Sequence, residues 1–405
     1  MFLHSACRAG AALLVAGSLA LDLVAQVAAV NGTSTAPFAS GLQGPSSISR
    51  NAAGVLYVAS IYDKNGSGQP TDIFRVLPDG TVELFTPSLV DPDVLCLDAA
   101  GFVYAGAYGG KITRIDPTTG NQTLWAQNAT LGNVDGMIFD ASGDLLISAI
   151  DHVKIHKVNK TTKAVSLFAD LRSLPVTGLG SLAIDPADQS VFVASPNDGY
   201  LVKLYADGRI ANGAFASGFE HMGQLAITGG FIYVSDNAAQ AIYRVDLQTR
   251  SQVLFVQQIE DYAGGLVAVY PGEFYASRQT YDMAQGWIYR IAPMWTWLSG
   301  PAQLGTTVTL YLESILDAGH SFFLFFSAGD SGVPLPGGRT LPIDPLAFIG
   351  PYTGTLDAAG LHGRPLTIPA SPALLGLTFY ACWATWNPPA HGFPGVSEAL
   401  AITIE

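Results

Sequence analysis

The chain has 405 residues, of which 32 are Asp or Glu and 19 are Lys or Arg, giving a formal net charge of −13. That balance excludes nucleic acid and anionic membrane surfaces as partners, since both call for a basic footprint. Three cysteines in a chain of this size are too few for a disulfide scaffold, and a large chain can bury a core without one.

The first residues read as a targeting segment. Arg8 precedes the apolar run AGAALLVAGSLAL (9–21), and small residues follow at Ala25 and Ala29. A 13-residue run is shorter than the roughly 20 residues that span a bilayer, so 1–29 is expected to be a signal peptide cleaved after Ala25 or Ala29. The protein is then secreted or periplasmic. No later segment holds 18 uninterrupted apolar residues, so no membrane insertion is expected.

From residue 55 onward a three-part phrase recurs. Apolar second strands read VLYVAS (55–60), FVYAGA (102–107), DLLISA (144–149), VFVAS (191–195), FIYVS (231–235) and EFYAS (273–277). Each is followed by a strand ending in a basic residue: Arg75, Arg114, Lys157, Lys203, Arg244 and Arg290. The intervals between these are 39, 43, 46, 41 and 46 residues. A period of about 40–50 residues built of short strands predicts a β-propeller, one four-stranded sheet per repeat.

A fourth strand closes five of the units: TVELFTP (81–87), QTLWAQ (122–127), AVSLFAD (164–170), GAFAS (213–217) and QVLFVQ (252–257). The sixth has none after IYRI, because the chain runs into APMWTWLSGP (292–301). Upstream, APFASGL (36–42) matches GAFASGF (213–219). Residues 35–40 are therefore expected to supply the outer strand of the last blade, beside Ile288–Ile291, leaving no open edge.

Past Met294 the phrase stops. Strands such as TTVTLYLE (306–313), SFFLFFSA (321–328) and GLTFYACWATW (376–386), separated by Pro/Gly turns, predict a β-sandwich. The expected fold class is thus all-β: a six-bladed β-propeller (31–294) closed by an N-terminal strand, followed by a small β-sandwich (295–405). Cys96 and Cys382 fall in different domains and are expected to remain unpaired.

DPDVLCLDAAGFVYAGAYGGKITRIDPTTG (91–120) and NVDGMIFDASGDLLISA (133–149) resemble blades of the regucalcin, gluconolactonase and luciferin-regenerating-enzyme family, and also NHL-repeat propellers. The resemblance implies six blades, a divalent metal such as Ca²⁺ or Zn²⁺ at the mouth of the central channel, and hydrolysis of lactones or organophosphate esters. The family's ligands stand at the starts of the inner strands. Here those positions carry Ser46, Asp93, Asp135, Gly180, Gly223 and Gly264. Asp93 and Asp135 match as oxygen donors. The first-blade Glu is replaced in GLQGPSSIS (41–49), and three glycines offer no side chain. The C-terminal region, with LPGG (335–338) and GTLDAAG (354–360), is similar to sandwich modules of secreted proteins from planctomycete-type bacteria, which implies a bacterial source.

Other candidates lie where blade-entry linkers and loops after second strands share one face of a propeller. His221 is a candidate base. Asp236, Asn237, Asp261, Tyr262, Arg278 and Tyr281 are candidate ligand contacts. Asp98, Asp140 and Asp185 read as turn residues, His152 and His156 as surface, and GDSG (329–332) as a chance match to a protease nucleophile. Two functions follow. The first is a propeller that binds a small molecule, glycan or protein on its loop face without catalysis. The second is a metal-dependent lactonase or esterase using Asp93, Asp135 and His221. The missing Glu and the three glycines favour binding.

Overall fold

The computed structural model describes residues 28–405 apart from 30–31, 43, 61–70, 90–91, 258–263, 271, 279–285, 336–339 and 387–394. The chain divides into two compact units. One runs from Thr35 to Ala292. The other joins the described residues up to Ser34 to Pro293–Glu405. Thr33 and Ser34, placed with the propeller on sequence grounds, instead pair with Val396 and Gly395.

The first unit is an all-β propeller. Its strands fall into antiparallel arrays in chain order: Pro45–Arg50, Leu56–Ser60, Thr71–Val76 and Val82–Leu89 form the first. The next three arrays begin at Pro92–Leu97, Val134–Phe139 and Leu182–Ile184. Two more begin at Met222–Thr228 and Leu266–Tyr270. In the array that begins at Leu266, the strand Gly286–Leu298 lies beside Thr33–Leu42. Each innermost strand touches that of the next array, and Leu266–Tyr270 touches both Met222–Thr228 and Pro45–Arg50. The cores lie between consecutive arrays. One cluster joins Tyr57, Ala59 and Ile73 to Leu95, Val103 and Ile115; another joins Leu42, Tyr275 and Ile288 to Ile48, Leu56 and Val58. Each sheet is therefore covered on both faces, which is why second strands such as Leu56–Ser60 are buried throughout and read as apolar runs rather than alternating ones.

The recurrent basic residues hold one register. Arg75, Arg114, Lys157, Lys203, Arg244 and Arg290 stand opposite Tyr57, Tyr104, Leu146, Phe192, Tyr233 and Tyr275 of the neighbouring second strands. Their charges are answered locally. Arg75 pairs with Glu83 at 2.6 Å, Lys157 with Asp140 at 2.6 Å and Arg290 with Glu273 at 2.7 Å. Arg114 lies 3.4 Å from the Phe102 ring centroid and Arg244 4.6 Å from that of Phe231. A second repeated contact joins an outer-strand ring to a second-strand ring: Phe85 to Tyr57, Trp125 to Tyr104, Phe215 to Phe192 and Phe255 to Tyr233, all at 5.0–5.3 Å.

The turns are built as their sequences predict. Asp98 Oδ1 accepts from the amides of Ala100 and Phe102, and Asp140 Oδ1 from those of Ser142 and Asp144. Asp185 Oδ1 accepts from Ala187 N. Gly101 and Gly143 follow with φ of 85° and 81°, a conformation that favours glycine.

In the second unit, the far end of Gly286–Leu298 pairs with Thr307–Ser314, which pairs with Leu361–Thr367. Ser321–Ser327 lies between Phe348–Thr355 and Thr378–Trp386, and Leu400–Thr403 follows at the far side of the latter. Met294, Leu310 and Leu312 meet Phe322, Leu324, Ala381 and Trp383 in one core. The indole N–H of Trp383 donates to Thr296 Oγ1 at 2.9 Å, so this buried tryptophan keeps its polar partner. Cys96 and Cys382 are both buried and unpaired. No described helix is long and apolar enough to cross a membrane.

Candidate functional site at the channel mouth

Three of the aligned mouth positions share an unexpected feature. The ladder between the first two strands shifts register between Pro45 and Ser47, between Pro92 and Val94, and between Val134 and Gly136. Ser46, Asp93 and Asp135 are therefore the extra residues of β-bulges. A bulge frees a residue from the ladder and re-aims its side chain, a device frequent beside functional sites.

Asp135 has a strongly perturbed carboxyl. Burial alone, with no neighbouring charge, pushes its carboxyl up to about 6. Its accessible surface is intermediate, so the group is enclosed by protein while keeping a path to water. Like-charge repulsion between Asp93 and Asp135 is not the cause of the shift. Asp93 is likewise half-buried.

The glycines are packing requirements. A Cβ on Gly180 would lie 2.7 Å from Pro196 Cγ and 3.0 Å from Asp135 Oδ2. One on Gly223 would lie 2.6 Å from Ser235 Oγ, 2.8 Å from Gly264 O and 2.9 Å from Asn237 Oδ1. A longer oxygen donor cannot replace either without moving these neighbours. Among the described residues no group of three or more His, Cys, Asp or Glu side chains could hold a metal ion. Two carboxylates beside obligatory glycines do not fit Ca²⁺, which takes six to eight oxygens, nor the four-ligand shell usual for Zn²⁺.

Serines that end the second strands fix this mouth, and single-sequence reading passed over them. Ser148 Oγ donates to Gly180 O of the next array, and Ser235 Oγ to Gly264 O at 3.2 Å and Gln224 O at 3.1 Å. Ser195 Oγ donates to Gly178 O at 2.9 Å, while Ser277 Oγ accepts from Gly265 N at 2.6 Å. Their signal was in plain view, as the recurring Ser of VAS, ISA, VSD and ASR. Gln224 was also missed. Its Oε1 accepts from Ile48 N at 3.0 Å and Leu266 N at 2.9 Å, and its Nε2 donates to Ser47 Oγ at 2.8 Å. One amide thus ties three innermost strands together.

Of the candidate loop residues, Asp236 is turned inward. It is fully buried, and its carboxylate accepts from the amides of Glu220, His221 and Ala239 at 2.8, 2.9 and 3.2 Å. Asp151 and Asp198 do the same for Asn133 N and Thr177 N. These acids lock a loop to the preceding linker, and Asp236, fully buried, is closed to a ligand. Asn237 differs. It is 6% exposed, its Nδ2 lies 3.4 Å from His221 Nδ1, and its buried Oδ1 has no hydrogen-bond partner. That oxygen faces the space left by Gly223. Arg278 ends the strand Glu273–Arg278, half-buried. Asp261, Tyr262 and Tyr281 lie outside the described residues. His156 is buried rather than superficial, and burial holds its imidazole below the ordinary value. Ser331 of GDSG is exposed.

A cavity of about 370 Å³ lies further along the same strands, lined among others by Arg50, Cys96, Met137, Phe139 and Gln224. Its lining lies one to four residues beyond the aligned mouth positions on each innermost strand.

No protein-family profile matches the sequence, and no curated protein matches it. Solved structures do. A gluconolactonase from Xanthomonas campestris superposes with a TM-score of 0.54 at 13% identity, covering 65% of this chain and 91% of that one. A putative oxidoreductase (glucose dehydrogenase) from Thermus thermophilus gives 0.50 at 14% identity, covering 64% and 100%. A putative gluconolactonase gives 0.50 at 12%, covering 66% and 98%. At such identities the likeness defines the fold, an all-β propeller of the gluconolactonase-like kind, and not the chemistry.

Proposed function

We propose that this is a secreted or periplasmic six-bladed propeller, closed by the strand Thr33–Leu42 and followed by a β-sandwich, that binds a small molecule at its channel mouth without turning it over. The observation that carries this reading is the pair Gly180 and Gly223. Their packing against Pro196, Asp135, Ser235 and Asn237 leaves no room for the donors a metal would need. What the mouth offers is an acceptor, the half-buried Asp135 carboxyl. Its ligand is therefore a small polar molecule bearing hydrogen-bond donors. Calorimetric titration with Ca²⁺ and Zn²⁺, metal analysis of the purified protein and assay of glucono-δ-lactone hydrolysis test it together. Metal retained at one equivalent, or turnover lost in Asp135→Asn, overturns it.

The second reading is a lactonase or esterase with a divalent cation, and one observation favours it. A carboxyl held at about 6 at a channel mouth is poised for proton transfer near neutral pH. His221 is near enough to Asn237 to be oriented by it. A rate that follows the titration of Asp135 would decide for this reading.

A further inference from the structure

The second unit carries an aromatic face that its core does not use. Along the strand Gly286–Leu298, Met294 enters the core and Thr296 receives the Trp383 N–H, while Trp295 and Trp297 point to the opposite side. They are 56% and 37% exposed. Tyr311 stands directly across from Trp297, with the two rings 5.1 Å apart and 19° from parallel. Glu313 stands across from Trp295. On the third strand Gly363 faces Tyr311, and a Cβ there would come within 3.2 Å of the tyrosine ring. Glycine at 363 lets that ring lie against the strand and support the indole.

Two neighbouring tryptophans left in water, one held by a stacked tyrosine, are uncommon on a surface that needs only solubility. The stacked pair has little rotamer freedom left to lose on binding. Tryptophan faces carry negative potential and attract the partly positive C–H groups of a flat ring. With a chain charge of −13 and Glu313 beside Trp295, an anionic occupant is excluded, and a neutral one with hydroxyl donors for Glu313 is favoured. A pyranose ring has both an apolar C–H face and a rim of hydroxyls. A lone sugar covers one indole, whereas side chains at alternate positions of one strand repeat every ~7 Å, a spacing that several linked sugars can follow.

We propose that Trp295 and Trp297, backed by Tyr311 and flanked by Glu313, form a stacking platform for a neutral polysaccharide. The site is independent of the channel mouth.

The test is affinity electrophoresis of the full mature protein in gels containing hydroxyethylcellulose, laminarin, xylan or galactomannan, with polygalacturonate as the anionic comparison. Retardation by at least one neutral polymer and not by polygalacturonate is expected. Trp295→Ala should weaken it about tenfold, the scale of one lost stacking contact, with an unchanged melting temperature because Trp295 is largely exposed. Asp135→Asn should bind the polymer like the parent. Absence of retardation by all four neutral polymers overturns the proposal. So does retardation that survives Trp295→Ala, or that is lost in Asp135→Asn. A dimer that Trp295→Ala converts to monomer would make the face a self-association surface and overturn it as well.

Discussion

The ring of Phe38 lies 4.7 Å from that of Tyr275. The two residues are far apart in sequence, yet they repeat the contact that Phe85, Trp125, Phe215 and Phe255 make with the second strands of their own arrays. The strand Thr33–Leu42 thus takes the place of an outer strand in the array that begins at Leu266. Phe38→Ala is expected to destabilise the protein by about 1–3 kcal/mol, less than a fully buried ring would because Phe38 is half-buried. Deleting residues 33–42 should expose the edge of Gly286–Leu298 and cause aggregation. Urea unfolding and light scattering measure the two effects. A monomeric deletion variant with parental stability would contradict the pairing.

Asp135 gives a pH signature. Its folded pKa of about 6 stands above the ordinary carboxylate value, so the folded state holds this proton more tightly than the unfolded state. The resulting stabilisation is full below about pH 4 and is lost as pH rises through 6. Relative to Asp135→Asn, the parent should gain about 1–3 kcal/mol on going from pH 7 to pH 4, allowing for partial exposure. Urea midpoints of both proteins at pH 4, 5, 6 and 7 report this difference directly. A constant difference would show that Asp135 titrates normally.

Gln224 is expected to matter more than its half-buried position suggests. In Gln224→Ala the amides of Ile48 and Leu266 lose their acceptor, and Ser47 loses a donor. The expected loss is about 2–4 kcal/mol, since unsatisfied buried donors forfeit their full desolvation energy. Gln224→Glu keeps the acceptor and should recover part of the loss. Equal stability of Gln224→Ala and parent in denaturant would refute the role.

Asp236→Ala should cost a similar amount and loosen the turn at 220–221, because three amides share that carboxylate. Amide exchange at Glu220, His221 and Ala239 is the sensitive readout. Protection unchanged from the parent would leave Asp236 available for a ligand after all.

Cys96 and Cys382 should resist thiol reagents in the native protein. Burial raises the thiols of both, that of Cys382 to about 12, so little thiolate is present at neutral pH. Reaction of either Cys96 or Cys382 in the native state would show that its environment is open.

Much of the propeller was legible in the chain because its repeats obey local rules. Apolar runs such as VFVAS mark strands buried on both faces, and Asp98 with Gly101 spells a turn. The match of APFASGL to GAFASGF located an outer strand far from its neighbours in sequence. The mouth was less legible for physical reasons. Asp93 and Asp135 were found by alignment, but the bulges that aim them arise from pairing, which no single strand encodes. Asp236 has the composition of a ligand contact; only the folded loop reveals that amides consume it. Gln224 gives no local signal, because its three partners come from two other arrays.

The carbonyl of Gly32 accepts from the amide of Met294 at 2.8 Å. The chain therefore departs into the propeller and returns from it at one point of the second unit, whose sequence is split around the whole intervening stretch. Joining two such distant segments in a disordered chain carries a loop-closure entropy that grows with the logarithm of its length. A propeller that has already closed on its own first strand holds those segments side by side and removes that term.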